Sequence, residues 1–397
     1  MADDRSTAHS NSGDHPGASR RPAAVIYTHS LLEGSMTFIK SQAEALVRYE
    51  PVYAGAHRVP GIELPPERTY VLNRQTPLGV VEEALFRVWG WAPRLVLQLR
   101  KHEPAIVHAH FGTCGPAGMA LARALHVPLL VTFHGQDATT DRREALRTHR
   151  GRELLKRKDE MIRVAGGFIA VSDFIRQRLL ADGYPEQKVL LHRNGIDLDF
   201  FAPDATVTKA PVVVFVGRFV EKKGVRYLLE AAGMLQAAGV AFELVIIGGG
   251  PLETELKTAA AQLRVPCRFT GFLPIADVRT WMQKASVVAI PSVTAANGDS
   301  EGLPTTLLEA QAVETPVVAT RHSGIPEGMR DGATGDLVEE RDVLGLAARL
   351  RAFLESPSRV RSMGEAGRQF VAANFDMKTQ VAGLEAIYSE LRSRHRA

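Results

Sequence analysis

The chain has 397 residues, 45% hydrophobic and 23% charged, with 34 Gly and 22 Pro; at roughly 150 residues per domain it can build two separate cores, which excludes a fibrous or wholly disordered protein. The net charge of +4 is a mild excess and comes without a recognisable base-reading module, so the composition does not indicate a nucleic-acid binder. Cys114 and Cys267 lie far apart with no CxxC, which sets aside a disulfide framework and a structural zinc.

Residues 1–21 are rich in Ser, Gly, Asp, His and Arg with no apolar run, the composition of a disordered tail. No secretory segment and no stretch of about 18 apolar residues occurs, so the expectation is a cytoplasmic protein that touches a membrane at most from one side. The first apolar run, residues 23–27, reads as a strand. Phe38, Ile39, Ala43, Leu46 and Val47 follow it at helical spacing. Residues 106–110, 129–133 and 167–171 repeat the strand signal, with helical stretches at 116–125 and 174–181 between or after them. Short apolar strands alternating with longer helices predict an α/β fold on a mostly parallel sheet.

The stretch 201–210, with its Pro, Asp, Thr and Lys, reads as a linker, after which the rhythm restarts. Strands are expected at 212–216, 244–247, 265–270, 287–290 and 316–319, and a helix at 224–238 with Val225, Leu228, Leu229, Ala232 and Leu235 on one face. Two such halves imply a cleft between the carboxyl ends of two sheets. Residues 358–372 and 377–394 read as two closing helices, interrupted at Asn374, Phe375 and Asp376.

The polar residues fall at strand ends. In EGLPTTLLE, residues 301–309, Pro304 suits a first helical turn. Glu301 then precedes the helix and Glu309 sits in its second turn, on the order of 10 Å away at 1.5 Å rise per residue. That is too long for the nucleophile and acid/base pair of a retaining glycosidase, roughly 5 to 5.5 Å apart. It suits two hydroxyl-binding carboxylates with helix-start amides between them for a diphosphate; two solvated surface glutamates are the alternative.

In GRFVEKKG, residues 217–224, Gly217 allows close approach while Arg218 and Lys223 offer a planar fork and a compact charge to phosphate. Gly248, Gly249 and Gly250 permit a tight turn but lack the spacing of a dinucleotide fingerprint. In FHGQD, residues 133–137, His134 and Asp137 end a strand facing the cleft, or His134 is a structural histidine. His108 and His110 share a strand face without a third ligand nearby, and Asp197-Leu198-Asp199, although a DxD string, reads as structural beside the Asn194-Gly195 turn.

Taken together, GRFVEKKG, IIGGGPLE at 246–253, the Glu-x7-Glu segment and HSGIPE at 322–327 resemble the retaining glycosyltransferases of family 4, and FHGQD, VSDFIRQRL at 171–179 and HRNGID at 192–197 are similar to the exopolysaccharide-building branch. The resemblance spans about residues 22–391. It implies the GT-B fold: two Rossmann-like domains facing across a cleft, acceptor side 22–200 and nucleotide-sugar side 211–376, with the C-terminal helix 377–397 crossing back to the first domain. It further implies that Arg218 and Lys223 clamp the donor diphosphate, Glu309 binds the ribose, Glu301 lies near the transferred sugar and His134 near the reacting region. Gly34, Ser35, Asp137, Gly217, Gly249, Phe272, Leu273, Gly302, Leu303, Pro304 and Thr305 complete the expected donor pocket, the base being held by backbone around 271–273. No cofactor and no metal are implied; the donor is a UDP- or GDP-sugar.

Two residues depart from the family pattern. Only Gly34 and Ser35 stand where a pair of glycines is usual, and Thr315 stands where glycine caps a helix, so that helix is expected to end differently. Basic residues at 142–158, interrupted by Gly151, and an aromatic helical stretch with Phe86, Trp89 and Trp91 beside Arg87, Arg94 and Arg100 suggest an anionic membrane surface, or else a solvated helix face plus a buried aromatic stripe. The resemblance favours a polyprenyl-diphosphate-linked saccharide as acceptor. A soluble metabolite, or a non-catalytic nucleotide-sugar-binding scaffold, is the competing reading.

Overall fold

A computed structural model describes residues 21–396, and residues 1–20 of the expected tail lie outside the described residues. Among the described residues, thirteen strands form two sheets in which each hydrogen-bonded pair is parallel. The first contains β1 (Ala23–Leu31), β2 (Glu50–Arg58), β3 (Thr69–Asn73), β4 (Pro104–His110), β5 (Leu129–Phe133), β6 (Gly167–Ala170) and β7 (Val189–Leu191). Their order is β3-β2-β1-β4-β5-β6-β7. The second contains β8 (Ala210–Val216), β9 (Glu243–Ile247), β10 (Cys267–Gly271), β11 (Ala285–Ile290), β12 (Val317–Thr320) and β13 (Gly335–Val338), ordered β10-β9-β8-β11-β12-β13. In each sheet the winding reverses once, between β1 and β4 and between β8 and β11, and the crevice beyond the strand ends at such a reversal is where open α/β sheets take ligands.

The central strands are apolar on both faces because helices cover both, and so they read as continuous runs. Strands β2 and β3 escaped the periodicity reading. Strand β2 mixes Pro51, Gly55 and His57 among its apolar residues; Pro51 is near the strand start, where a missing amide is tolerated. The short strands β7 and β13 were also not anticipated. Helix Val225–Ala237 buries Val225, Leu228, Leu229, Ala232 and Leu235 against the second sheet, the face expected of its spacing.

Four local expectations are corrected. Helix Thr305–Ala312 begins one residue late, because Pro304 takes ψ 122 and caps the helix instead of entering its first turn. The closing helices Pro357–Phe375 and Met377–Arg396 are separated only by Asp376, whose carboxylate accepts from the Thr379 amide and hydroxyl; Asn374 and Phe375 remain helical. The basic stretch breaks before Gly151, not at it: helices Arg142–Ala145 and His149–Val164 are separated by Leu146, Arg147 and Thr148, and the Thr148 hydroxyl caps the second by accepting from the Gly151 amide. The aromatic stretch is likewise two helices, Pro77–Trp89 and Pro93–Arg100, parted at Gly90 with φ 68, and it is not a buried stripe. Phe86 is buried, whereas Trp89 and Trp91 are 73% and 57% exposed.

At Thr315 the helix does end differently from a glycine cap. Glu314 takes the left-handed conformation (φ 57), which leaves Thr315 in ordinary backbone with its amide donating to Ala310 O. The buried Thr315 hydroxyl donates to Met282 O and accepts from Lys209 Nζ, contacts that a glycine lacks.

Helix Met377–Arg396 packs on the first sheet: Met377, Val381, Leu384, Tyr388 and Leu391 share a core with Ala24, Ile26, Ile106 and Ile169. The buried Glu385 accepts from the amides of Val47 and Arg48 and pairs with the Arg48 guanidinium, closing the end of the first helix. Tyr388 Oη is 2.7 Å from His108 Nδ1, beneath the strand that carries His110. Entry to this helix is fixed where Ile196 exchanges backbone hydrogen bonds with Phe375 and Met377. The Asp197 carboxylate accepts from the amides of Asp199 and Phe200, so the DxD string is an Asx turn at the crossing.

Candidate functional site

The cleft between the domains has a volume of about 970 Å³ and is walled by both sheets. Into it the second domain brings Gly217, Arg218 and Lys223 from the turn after β8, Phe272 and Leu273 after β10, and Glu301 to Thr305 with Glu309 from the start of helix Thr305–Ala312. The first domain brings Gly34 and Ser35 from the loop after β1, and His134 and Asp137 after β5. Gly249 is the predicted residue that does not line it. Gly248 does, with φ 130 and a backbone so close that an added Cβ would stand 2.0 Å from Gly217 O, while Gly249 packs beneath Phe272.

Lys223 Nζ lies 2.7 Å from Glu301 Oε1, and the Ser292 hydroxyl donates to the same oxygen. Burial would push the Glu301 carboxyl up, but Lys223 and Lys222, with the Lys223 hydrogen bond and His322, outweigh it and hold the carboxyl at about 2. The carboxylate is therefore ionised at neutral pH. Its backbone is fixed as well: the Glu301 amide donates to His322 Nε2, which leaves Nδ1 of that ring to donate to Glu340 Oε1 at 2.6 Å. Lys222, which the sequence reading passed over, pairs with Asp299 at 2.8 Å and donates to Ser300 O. Arg218 is exposed at the mouth of the cleft.

Glu309 is different. It is 8% exposed, and burial pushes its carboxyl up to about 7, with a Thr305 hydrogen bond and the charge of Lys223 only partly opposing. Its folded pKa exceeds the ordinary 4.5, so the folded state holds a proton that the unfolded state loses, and stability present below pH 4.5 declines as pH rises through 7. Glu309→Gln is expected to stabilise the nucleotide-free protein by roughly 3 kcal/mol at pH 8 and by almost nothing at pH 4.5. Urea unfolding at the two pH values measures this; an equal effect at both removes burial of the charge as the cause.

On the other wall, His134 Nε2 lies 3.1 Å from His110 Nδ1, and the rings stack with centroids 5.3 Å apart, flanked by Phe38 and Phe111. Burial pushes His110 down to about 3 and His134 well below its ordinary value, so both are neutral and His134 offers hydrogen bonds instead of charge. The pairing was not legible because residues 110 and 134 meet only when β4 and β5 lie side by side. His108 belongs to this column but has both nitrogens occupied, by Tyr388 and Thr132, which leaves no metal-ligand role. Asp137 braces the loop: its carboxylate accepts from the amides of Gly112, His134 and Gly135.

The two walls touch directly below the cleft. A Cβ on Gly302 would stand 2.1 Å from His134 O, and one on Gly135 would stand 2.9 Å from Gly302 N, so the loop before helix Thr305–Ala312 meets the His134 loop backbone to backbone. Nearby, Glu327 of HSGIPE accepts from the Asp173 and Phe174 amides at the start of helix Asp173–Ala181 and pairs with Arg193 at 2.7 Å. This clasp joins the domains through a helix N-terminus, where a carboxylate is favoured.

Residues 33–200 match the family described as Glycosyltransferase Family 4, and residues 199–370 match Glycosyl transferases group 1. A protein of Escherichia coli K12, provisionally named the colanic acid biosynthesis glycosyltransferase WcaL, is 38% identical over 62% of this chain and 60% of its own length. The amylovoran biosynthesis glycosyltransferase AmsK of Erwinia amylovora is 33% identical over 71% of this chain and 69% of its own. The chain thus spans about three fifths to two thirds of these relatives. Sucrose-phosphate synthase of Thermosynechococcus elongatus superposes with TM-score 0.75 at 20% identity, covering 94% of this chain and 100% of that one, and HepE of Anabaena, crystallised with UDP and glucose, gives 0.72 at 17%, covering 93% and 100%. At those identities the structures bear on the fold alone: it is the two-domain GT-B arrangement with the terminal helix packed on the first domain.

Proposed function

The chain belongs to glycosyltransferase family 4, and from that premise we propose that it transfers a hexosyl group from a UDP- or GDP-sugar to an acceptor hydroxyl with retention of anomeric configuration. The observation that carries this reading is the convergence of Arg218, Lys223, the amides at the start of helix Thr305–Ala312 and the carboxylates Glu301 and Glu309 in one cleft opposite His134. Arg218, Lys223 and the amides meet the charge that develops on the leaving diphosphate, which removes the need for a metal at the phosphates. Glu309 takes the ribose hydroxyls and Glu301 those of the transferred sugar. The bond from C1 to the diphosphate breaks while the acceptor oxygen joins C1 on the same face, and the acceptor proton passes to the departing phosphate oxygen. Closure of the domains around the donor excludes water.

As acceptor we infer a polyprenyl-diphosphate-linked saccharide, in exopolysaccharide or cell-surface glycan assembly on the cytoplasmic face of the membrane. The names of the relatives support this, as does the surface of the first domain. Leu78, Val81, Val88, Trp89, Trp91 and Leu97 are exposed there, and no helix among the described residues is long and apolar enough to cross a membrane. Apolar side chains beside cations hold a protein on an anionic bilayer without a span.

A screen of UDP- and GDP-sugars against lipid-linked and soluble acceptors tests the reading, with the product anomer read by NMR and sedimentation on anionic vesicles alongside. Expected are a retained product, vesicle binding, and nucleotide affinity unchanged by EDTA. Transfer to a soluble metabolite with no turnover of lipid-linked saccharide and no vesicle binding overturns the acceptor; absence of any nucleotide binding leaves the scaffold reading standing.

A further inference from the structure

At the first-domain wall of the cleft, three donor groups converge that the transfer reaction does not use. His29 stands near the carboxyl end of β1, His57 near the end of β2, and Glu83 on helix Pro77–Trp89. Their ligand atoms all lie within 4.8 Å of one another. His57 Nδ1 is 3.8 Å from Glu83 Oε1, and the His29 and His57 rings meet edge to face at 5.2 Å. His29 also lines the cleft.

We infer that His29, His57 and Glu83 bind one divalent transition-metal ion of the zinc class, with His29 bringing it to the acceptor half of the cleft. Two imidazoles and one carboxylate are a ligand set that zinc takes with a fourth position left for water or substrate. Ligands at 2.0 to 2.1 Å from a tetrahedral ion stand roughly 3.3 Å from one another, so the widest separation here must close by about 1.5 Å. Rotation of half-buried side chains about χ1 and χ2 covers that distance without moving the backbone.

The second observation is how two of the ligands are held. Ser30 Oγ lies 3.3 Å from His57 Nε2 and holds that edge of the ring, which leaves Nδ1 as the atom facing Glu83. Asn73 Nδ2 donates to Glu83 Oε2 at 2.9 Å and leaves Oε1 facing His57. Outer partners of this kind fix tautomer and orientation in metal sites. A simple His57–Glu83 ion pair needs neither support, nor His29 beside it.

The inference is independent of the donor-site reading, because it rests on His29, His57 and Glu83 and on no role of Arg218, Lys223 or Glu309. The test uses tag-free full-length protein, stripped with EDTA and dialysed, titrated calorimetrically with zinc chloride, with Co2+ as the spectroscopic probe. One saturable site is expected, together with the intense visible bands of four-coordinate cobalt through nitrogen and oxygen ligands. His57→Ala and the nearly isosteric Glu83→Gln are each expected to weaken zinc binding at least tenfold, with melting temperature in EDTA and UDP affinity as in the wild type. A wild-type protein without a saturable site overturns the inference. So does retention of wild-type stoichiometry and affinity by Glu83→Gln, which places the ion elsewhere.

Discussion

Lys223→Ala is expected to lower kcat/KM for nucleotide-sugar transfer by about 100- to 1000-fold, the scale on which an enzyme loses one preorganised donor to a developing anion. The same change is expected to destabilise the donor-free protein by about 3 kcal/mol, because Glu301, 6% exposed, loses its 2.7 Å partner and stays buried as an uncompensated charge. Lys222 remains nearby, which limits the loss. The acid response gives a separate check. A carboxyl held at about 2 in the fold contributes stability that is present above its ordinary 4.5 and disappears as pH falls toward 2. In Lys223→Ala that contribution is reduced already at neutral pH, so its unfolding curve should flatten across the acid range relative to wild type. Combining Lys223→Ala with Glu301→Gln should recover stability but not turnover. If the double variant is as unstable as Lys223→Ala alone, the destabilisation did not come from the orphaned carboxylate.

Tyr388→Ala is expected to destabilise the first domain by about 3 to 5 kcal/mol, the range for deleting a fully buried aromatic ring. Tyr388 is 0% exposed, meets the Tyr49 and His108 rings edge on, and sits 2.7 Å by its hydroxyl from His108 Nδ1. Tyr388→Phe keeps the ring and loses only that hydrogen bond, for which about 1 to 3 kcal/mol is the ordinary cost when a buried partner is left unsatisfied. Urea unfolding of the three proteins separates packing from hydrogen bonding. Equal losses in the two variants would assign the whole effect to His108. A shift of less than 1 kcal/mol in Tyr388→Ala would mean that the terminal helix is not integral to the first core.

The residues around Lys223 could be found in the sequence because each piece of that wall is contiguous: GRFVEKKG is one turn and the two glutamates lie within one loop and the helix after it. Strand alternation placed these pieces at the carboxyl ends of sheets, and the helix face from Val225 to Leu235 gave the sheet its cover. What escaped depends on pairs distant along the chain. His110 supports His134 only through β4 and β5, and Glu327 reaches the amides of Asp173 and Phe174 more than 150 residues away. Lys222 and Lys223 are chemically alike in sequence; their different partners, Asp299 and Glu301, follow from the path of a loop 77 residues further on. Strand β2 went unrecognised because its pattern of apolar and small residues has neither clean alternation nor a continuous apolar run.

The helix Met377–Arg396 makes the order of synthesis matter. During translation the first sheet emerges early, yet the face that carries Ala24, Ile26, Ile106 and Ile169 is covered only in part, by Ile39, Ala43 and Leu46, until Tyr388 and Leu391 have left the ribosome. At about 5 to 20 residues per second the roughly 200 residues of the second domain leave that face partly open for at least ten seconds. An emerging chain with a partly uncovered apolar sheet is a substrate for holding chaperones, whereas the second domain, whose two cores draw on residues 196–375, can close by itself first. The second domain thus matures before the first, and a chain cut before Tyr388 would carry a folded second domain tethered to a first sheet that lacks part of its cover.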